Sequence, residues 1–303
     1  RRQRQMCIRD SDMKISCWIE AMRLRTLPVS LAGVLYAAGL GAATWHFKNL
    51  PVIMALLFAL LAQIASNFAN EYYDFKGGLD KVGREGPRRG VTEGDITPGA
   101  MKAATYITLA AACVVGCLLV WFYGAWWMYP VGILTAFGVI AYSSGPYPLS
   151  HHGLGEVAVI FFFGIIPVCL TYFLQASMLP WWIFLASIGI GAMGANVLIV
   201  NNYRDADDDR AVGKHTLAVI LGRRAMRWIY LMNGFAGVLL TVPEWIALMR
   251  LWWIAPGIYL LLHIFLFSRL SRLKGRALTP LLGMTATLML LYCATYFCVA
   301  LAG

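Results

Sequence analysis

Asn and Asp side chains recur at regular spacing where a long apolar segment turns polar. Asn70 and Asp74 are four residues apart and share one face of a helix, and Asp80 follows Gly77 and Gly78. Because the two glycines let the chain leave helical geometry and turn back, the three oxygen-bearing side chains can converge. Carboxylate and amide oxygens are the ligands that hard divalent cations prefer. The spacing therefore predicts one half of a metal site.

A second cluster of the same kind begins at Asn201 and Asn202. Asn201, Asp205 and Asp209 repeat every four residues, which predicts one acidic stripe on a helix, whereas Asp207 and Asp208 are expected to face solvent or to support the others. One such cluster by itself is more often a solvated turn. Two matched clusters favour a pair of divalent cations with open positions for the phosphate oxygens of a substrate.

Basic residues stand close to both clusters in the sequence. Arg and Lys side chains would bind the remaining oxygens of a diphosphate and stabilise it as a leaving group. Lys214 and Arg88 rank first because neighbouring glycines permit close approach, although each basic residue also has a simpler explanation in membrane topology. The candidates are Arg23, Arg25, Arg84, Arg88, Arg89 and Lys214.

The surrounding sequence has the composition of a membrane protein. Hydrophobic residues make up 60% of the 303 residues and charged residues 13%, against about 25% charged in ordinary soluble domains. Apolar runs of roughly 18 or more residues recur along the chain, as membrane-spanning helices require. This composition excludes a disordered chain, a disulfide-stapled secreted module and a coiled coil. The net charge of +10 indicates topology and not nucleic-acid binding.

The apolar runs predict an all-α, polytopic membrane protein with nine transmembrane helices in a single domain over residues 1–303. Of the 25 Lys and Arg residues, 23 fall in the segment 1–26 and in the loops on its side, and only Lys48 and Arg250 fall on the other. The positive-inside rule then predicts a cytoplasmic N-terminal segment, 1–26, and an external C-terminus. The helices are expected near residues 27–45, 50–73, 102–123, 127–143, 155–175, 180–203, 226–247, 251–268 and 279–301.

At the two clusters the sequence resembles the UbiA superfamily of intramembrane aromatic prenyltransferases, and within it the bacterial members that prenylate 1,4-dihydroxy-2-naphthoate for menaquinone synthesis. The resemblance covers nearly the whole chain. Its marks are residues 22–28, the Asn70-x3-Asp74-x5-Asp80 motif, residues 86–90, residues 153–156 and residues 201–217. The gap of five residues between Asp74 and Asp80 is the most discriminating mark, because many relatives with other acceptors have three. Mild departures are Leu24, where Pro is frequent, and Glu71, where Asp is common.

The resemblance implies helices around a central cavity, a cytoplasmic polar cap and a lateral opening for an isoprenoid tail in lipid. It also implies Mg²⁺, with two ions expected, and an allylic polyprenyl diphosphate as substrate. In this interpretation Asn70, Asp74 and Asp80 hold one ion while Asp205 and Asp209 hold the second. The basic residues then help the diphosphate depart, with Asn201 and Asn202 as further contacts to the substrate.

The implied reaction joins the polyprenyl group to the carboxylated ring carbon of 1,4-dihydroxy-2-naphthoate with loss of carbon dioxide, giving a demethylmenaquinone. Tyr142 is a candidate to stabilise the allylic cation, although aromatic residues at helix ends often anchor the membrane interface. Glu156 is a candidate to bind or orient the acceptor, or else an acidic residue at a helix start. The implied location is the bacterial cytoplasmic membrane.

Other functions remain open at this point. A cation-coupled transporter would place ionisable groups near the bilayer midplane, whereas the middles of the nine expected spans carry no Asp, Glu, Lys or Arg. A CDP-alcohol phosphotransferase is disfavoured because its Asp-Gly-x-x-Ala-Arg signature is missing from the sequence. Among prenyltransferases, 4-hydroxybenzoate is the nearest alternative acceptor.

Overall fold

The computed structural model describes residues 15–83, 85–248 and 253–303, and the regular elements in these residues are all helical. Short 3₁₀ turns lie at Leu149–His151 and Gly275–Leu278. The expected N-terminal cytoplasmic segment is covered only from residue 15 onward, and Arg84 lies outside the described residues. The helices are α1 (Ile15–Met22), α2 (Leu27–Ala43), α3 (Asn49–Lys76), α4 (Pro98–Tyr123), α5 (Met128–Ala141), α6 (Gly155–Ala176), α7 (Trp181–Ala211), α8 (Leu217–Leu248), α9 (Ile254–Arg272) and α10 (Thr279–Ala302).

The predicted all-α membrane fold is confirmed, but the predicted count of nine spans is not. Within the described residues, seven helices are long and apolar enough to cross a membrane, or eight if α1 and α2 form one span bent by 51°. α5 is apolar but has only 14 residues, fewer than the roughly 20 that a full span needs. Each predicted segment is nevertheless helical over most of its length.

Two predicted helix ends were wrong, and both corrections concern the polar cap. α7 was expected to end near residue 203 but continues to Ala211, so that the acidic stripe lies on the helix itself and not in a turn. The helix expected from residue 226 begins at Leu217, with a break at Gly222, where φ is 78°. Hydropathy shows only the apolar part of a helix, whereas these two helices continue beyond it. The hydropathy pattern therefore underestimates their length.

The central helices of the bundle approach each other closely. α7 packs between α6 and α8, and α2 packs between α10 and α6. A Cβ atom at Gly164 of α6 would lie 2.4 Å from the Cα of Gly191 in α7. Only glycine permits this approach, which holds the walls of the bundle together where the two helices cross.

α6 contains one turn of π-helix, Ile160–Ile165, between two α-helical parts. Such turns insert an extra residue into the helix and are frequent beside functional sites. Here the π turn carries Phe162 and Phe163, which both line the central cavity. The local change in helix geometry therefore shapes the apolar wall of that cavity.

The bend between α1 and α2 occurs at Arg23, whose φ of 53° lies in the left-handed region. This conformation costs a residue with a side chain about 1 kcal/mol. Pro28, in the first turn of α2, favours a new helix start immediately after the bend. The bend brings Arg23 to the end of α3, where its side chain bonds to Asn70. Backbone strain at this point thus coincides with a predicted substrate-binding residue.

Candidate functional site

A cavity of about 540 Å³ lies inside the bundle, with one polar end and one apolar end. The α1–α2 bend, the ends of α3 and α7 and the loops that follow them form its polar end. Apolar side chains of α2, α6, α7 and α10 form the other walls, among them Val29, Phe162, Val197 and Leu282. The cavity therefore joins a charged surface to a compartment suited to hydrocarbon.

Asp74 is the most enclosed carboxylate at the polar end. It is 0% exposed, its Oδ2 accepts a hydrogen bond from Nζ of Lys214 at 2.8 Å, and Nε2 of His151 lies 3.3 Å from its Oδ1. A buried carboxylate is strongly disfavoured unless positive charge lies beside it. Lys214 provides that charge, and joins the loop after α7 to the end of α3.

Arg89 contacts all three side chains of the first predicted cluster. Its Nη2 donates to Oδ1 of Asn70 at 3.1 Å and lies 3.8 Å from Oδ2 of Asp74, and its Nε lies 3.4 Å from Oδ2 of Asp80. Asn70 also accepts from Nη2 of Arg23 at 2.6 Å and donates to Oγ of Ser143 at 3.1 Å. The three predicted ligands therefore converge, with arginine between them.

The turn after α3 forms as the sequence predicted. The helix ends at Lys76, Gly77 caps it, and Gly78 adopts a positive φ of 68° before the chain reaches Asp80. The Asp80 side chain is fully buried, although it does not line the cavity. Two glycines thus bring Asp80 back to Arg89 within six residues of Asp74.

The second cluster lies on the last turns of α7. Arg204 forms a two-pronged ion pair with Asp205, with Nε to Oδ1 at 2.6 Å and Nη2 to Oδ2 at 2.9 Å, and Nη2 also donates to Asn201 at 2.8 Å. Asp205 and Asp209 are buried and line the cavity, whereas Asp207 is exposed as expected. The acidic stripe therefore faces the cavity opposite the end of α3.

A glycine turn brings Lys214 back to the site. Gly213 has a positive φ of 76°, and the backbone N–H of Lys214 donates to the carbonyl oxygen of Asp209 at 2.9 Å. Only glycine adopts such a conformation without strain. The predicted role of Gly213 in permitting close approach thus has a geometric basis, and Lys214 is 8% exposed.

Tyr142 and Asn202 line the cavity, whereas Glu156 lies behind that lining. Glu156 is buried in the first turn of α6, and its Oε1 accepts from Nδ2 of Asn202 at 3.0 Å. Its Oε2 has no hydrogen-bond partner within residues 15–83, 85–248 and 253–303. Glu156 therefore reaches the cavity only through Asn202 in this arrangement.

The outer basic residues are less enclosed. Arg25 and Arg88 line the mouth of the cavity and are exposed, and Arg88 pairs with Asp95 at 2.5 Å. The ion pair to Asp95 engages part of the Arg88 guanidinium. Of the six predicted cations, the structure thus brings Arg89 and Lys214 to the carboxylates and Arg23 to Asn70, and leaves Arg25 and Arg88 at the entrance, while Arg84 lies outside the described residues.

The carboxylates fit a hard cation by donor type. Asp74, Asp205 and Asp209 present only oxygen donors towards one cavity, together with the amide oxygens of Asn70 and Asn201, whereas Asp80 does not line it. In the described part of the chain, no group of three His, Cys, Asp or Glu side chains is arranged to hold a metal by itself. Mg²⁺ usually binds through one or two carboxylates and substrate phosphates, so this incomplete donor set is suitable for it.

The sequence profile of the UbiA prenyltransferase family matches residues 26–281, a range that includes both acidic clusters and most of the cavity lining. The chain belongs to the UbiA prenyltransferase family. The resemblance inferred from the two motifs is therefore confirmed.

Curated members of the family support this membership. The 1,4-dihydroxy-2-naphthoate octaprenyltransferase of Escherichia coli K12 is 37% identical over 217 residues, which cover 69% of this chain and 70% of the relative. The protein of the same name from Mycobacterium leprae is 34% identical over 280 residues, 91% of this chain and 92% of the relative. The similarity thus extends well beyond the two motifs.

Solved structures share the fold. A UbiA homologue from Archaeoglobus fulgidus, solved with DMAPP and Mg²⁺, aligns with a TM-score of 0.64 at 13% identity, over 93% of this chain and 99% of the homologue. Another structure of a homologue from the same organism gives a TM-score of 0.67 at 14% identity, over 95% and 100% of the two chains. At such low identity these likenesses establish the UbiA fold alone.

Three residues of this site were not predicted from the sequence. His151 contacts Asp74, Ser143 binds Asn70, and Arg204 pairs with Asp205. Ser143 and His151 belong to the Ser-, Gly- and Pro-rich segment 143–153, where a His pair between apolar helices was an available signal. Arg204 stands inside the second motif, but a basic residue at a helix end resembles ordinary topology charge.

Replacing Arg204 by Ala should destabilise the folded protein far more than replacing Arg210 on the same helix. Arg204→Ala removes a buried two-pronged ion pair from Asp205, which costs about 3 kcal/mol or more. Arg210 is 62% exposed and lies 3.9 Å from Asp207, so Arg210→Ala should change stability by less than about 0.5 kcal/mol. Thermal unfolding in detergent measures both, and equal losses would contradict the inferred role of the buried pair.

Proposed function

We propose that the chain transfers a polyprenyl group from an allylic polyprenyl diphosphate to 1,4-dihydroxy-2-naphthoate. The bond between the allylic carbon and the diphosphate oxygen breaks, and a bond forms between that carbon and the carboxylated ring carbon. Carbon dioxide and diphosphate leave, and the product is the reduced form of a demethylmenaquinone. The relatives' names support this substrate pair, and residues 1–303 would form a single prenyltransferase domain.

One observation carries the proposal: the cavity places buried cations and carboxylates at one end of an apolar chamber. A polyprenyl diphosphate has the same division, with a charged head and a hydrocarbon tail. Apolar walls from four helices would hold the tail and the naphthoate ring, while the polar end would receive the head. Several walls belong to helices long enough to span a membrane, so the tail could extend into lipid.

Arg23, Arg89 and Lys214 are the proposed diphosphate-binding residues among the enclosed cations. Each lies within hydrogen-bond distance of Asn70 or Asp74. Charge-assisted hydrogen bonds from these side chains would neutralise the diphosphate as its bond to carbon breaks. Arg25 and Arg88, at the mouth, would attract the substrate, with Asn201 and Asn202 as neutral contacts inside. Arg84 remains a predicted contact to the diphosphate.

Two Mg²⁺ ions fit the proposed reaction. Asn70, Asp74 and Asp80 would hold one ion and Asp205 with Asp209 the other, and bound Mg²⁺ would supply positive charge to the departing diphosphate. The carboxylates now pair with Lys214, Arg89 and Arg204. With metal held by the carboxylates, these cationic side chains would be available to bind phosphate oxygens.

The apolar end of the cavity would protect the allylic cation from water. Phe162 and Phe163 line it, and Tyr142 belongs to the lining of the same cavity. Aromatic faces attract cations, so these rings can stabilise positive charge without acting as nucleophiles. Exclusion of water favours attack by the electron-rich naphthoate ring over hydrolysis of the prenyl cation.

Glu156 is proposed to act through Asn202. Because Glu156 lies behind the cavity wall and bonds to Asn202, it fixes the orientation of an amide that faces the substrate. In that arrangement Asn202 would bind a hydroxyl or carboxylate oxygen of the acceptor. The acceptor-binding role first assigned to Glu156 would then be a positioning role.

The two alternative functions, a prenyltransferase for 4-hydroxybenzoate and a transporter, have less support. A 4-hydroxybenzoate acceptor would fit the same cavity chemistry, but the curated relatives described above carry the naphthoate name. A transporter is disfavoured because the buried charges of the site gather at one end of the bundle and not at its middle. Glu244, buried in α8, lies outside this site.

Asp74→Ala and Asp205→Ala should each lower prenyl transfer by at least about a hundredfold, because each removes an oxygen donor that the proposed metal and diphosphate require. Asp207→Ala is the matched control, since its side chain is 71% exposed. Purified protein is incubated with Mg²⁺, a polyprenyl diphosphate and a panel of aromatic acids, and products are identified by mass. Wild-type rates in Asp74→Ala, or no prenylated naphthoate from the wild type, would refute the assignment.

We further propose a bacterial cytoplasmic membrane with the N-terminus inside and the C-terminus outside, from the asymmetry of 23 against 2 basic residues. A cytoplasmic reporter fused before residue 1 should be active, and a reporter that needs the external side should be active after residue 303. The polar end of the cavity would then face soluble Mg²⁺ and diphosphate. Two reporters on the same side would contradict this orientation and the odd number of crossings.

A further inference from the structure

A second cavity, of about 530 Å³, shares part of its wall with the first. It lies in the polar cap, between the loop that joins α3 to α4 and the start of α10. Residues that line only this cavity include Lys81, Thr92 and Arg276. The shared wall consists of Arg25, Pro87, Arg88, Arg89 and Thr279.

Positive charge exceeds negative charge around the second cavity. Two carboxylates, Glu85 and Glu93, belong to its lining, against five basic side chains. This excess of cations favours a small anion of several charges. The five are Arg25, Lys81, Arg88, Arg89 and Arg276.

Two buried polar atoms in the lining have unused hydrogen-bonding capacity. Arg89 is 6% exposed, and although its Nη2 donates to Asn70 its Nη1 has no hydrogen-bond partner among the described residues. The Oγ1 of Thr92 is likewise buried without a partner in that part of the chain. Both atoms are closed off from solvent in this arrangement, but because buried polar groups normally find partners, a ligand in the adjoining cavity would supply one after a small rotation of either side chain.

The lining also restricts which anion fits. Among the described residues that line the second cavity there is no aromatic and no large apolar side chain. An aromatic carboxylate would therefore find no surface for its ring, whereas an inorganic anion needs only hydrogen-bond donors and positive charge. Diphosphate has several acceptor oxygens and can accept hydrogen bonds from two arginines and a hydroxyl at the same time.

We propose that the second cavity is an anion subsite for inorganic diphosphate, reached from the first cavity past Arg89. Arg89 bonds to Asn70 and lines both cavities. Diphosphate can therefore keep its contact with the Arg89 guanidinium while it passes from the first cavity to the second. The subsite rests on the proposed prenyl transfer, which supplies the diphosphate. It gives the product a polar route away from the allylic cation.

Binding of radiolabelled inorganic diphosphate to the purified full chain in EDTA tests the subsite. Without metal, the carboxylates of the first cavity repel the anion and engage its cations, so binding should report the second cavity. Lys81→Gln with Arg276→Gln should weaken this binding about tenfold or more. Lys76→Gln with Lys274→Gln makes the same change of charge at exposed residues that line neither cavity, and should change binding by less than about twofold.

A second pair of variants tests the hydroxyl. Thr92→Val should weaken metal-free diphosphate binding, and Thr92→Ser should restore it, because Ser keeps the donor. Equal effects of the Lys81/Arg276 and Lys76/Lys274 double variants would overturn the subsite, as would undetectable metal-free binding. Stronger displacement of the label by 1,4-dihydroxy-2-naphthoate than by unlabelled diphosphate would also overturn it.

The same protein preparations distinguish this proposal from the proposed function. If prenyl transfer proceeds but diphosphate does not bind without metal, the subsite is wrong and the function stands. If no aromatic acid is prenylated but the Lys81/Arg276 variant still loses diphosphate binding, the anion subsite stands and prenyl transfer falls.

Discussion

Buried carboxylates require positive charge beside them, and this requirement governs the polar end of the bundle. Asp74, Asp80 and Asp205 face Lys214, Arg89 and Arg204 respectively, in surroundings with little access to water. Each ion pair joins parts of the chain that are otherwise separate or holds a residue at a helix end. In the proposed mechanism, metal would replace these cationic side chains as the positive charge beside the carboxylates.

The apolar frame of the bundle supports this arrangement. α7 is the most enclosed of the long helices, and small residues along it let α6 approach closely. Because α7 continues beyond the apolar region to Ala211, its rigid last turns carry the acidic stripe. The opposing cluster lies on the last turns of α3, another long helix. Catalytic groups on rigid helix ends can be held more accurately than groups on loops.

The sequence predicted the fold class, the family and the convergence of Asn70, Asp74 and Asp80, because helical spacing and glycine turns are local properties. It could not predict that Arg89 would stand among these three side chains, because that contact joins α3 to a loop. His151 was missed for the same reason, since its partner Asp74 lies on another element. Arg204 was missed although its partners Asn201 and Asp205 lie on the same helix, because a basic residue at a helix end resembles ordinary topology charge. The predicted count of nine spans was not confirmed, because α5 has only 14 residues and an apolar run does not determine the length of the helix that it forms.

The proposed roles of the carboxylates and cations depend on one exchange, in which metal replaces a cationic side chain beside a carboxylate. Lys214 now stabilises Asp74, and would bind diphosphate once metal occupies that carboxylate. Its position outside the apolar walls means that the acceptor ring should not depend on it directly. A substitution at Lys214 should therefore affect stabilisation of the leaving diphosphate without affecting placement of the acceptor ring.

Steady-state kinetics of Lys214→Met with Mg²⁺ test this exchange most directly. Loss of one charge-assisted contact in the transition state costs about 1.5–3 kcal/mol, so turnover should fall roughly ten- to a hundredfold. Inhibition by inorganic diphosphate should weaken, and the KM for 1,4-dihydroxy-2-naphthoate should stay within about twofold. The exposed Lys76→Met is the control. Unchanged turnover and unchanged diphosphate inhibition in Lys214→Met would contradict the account.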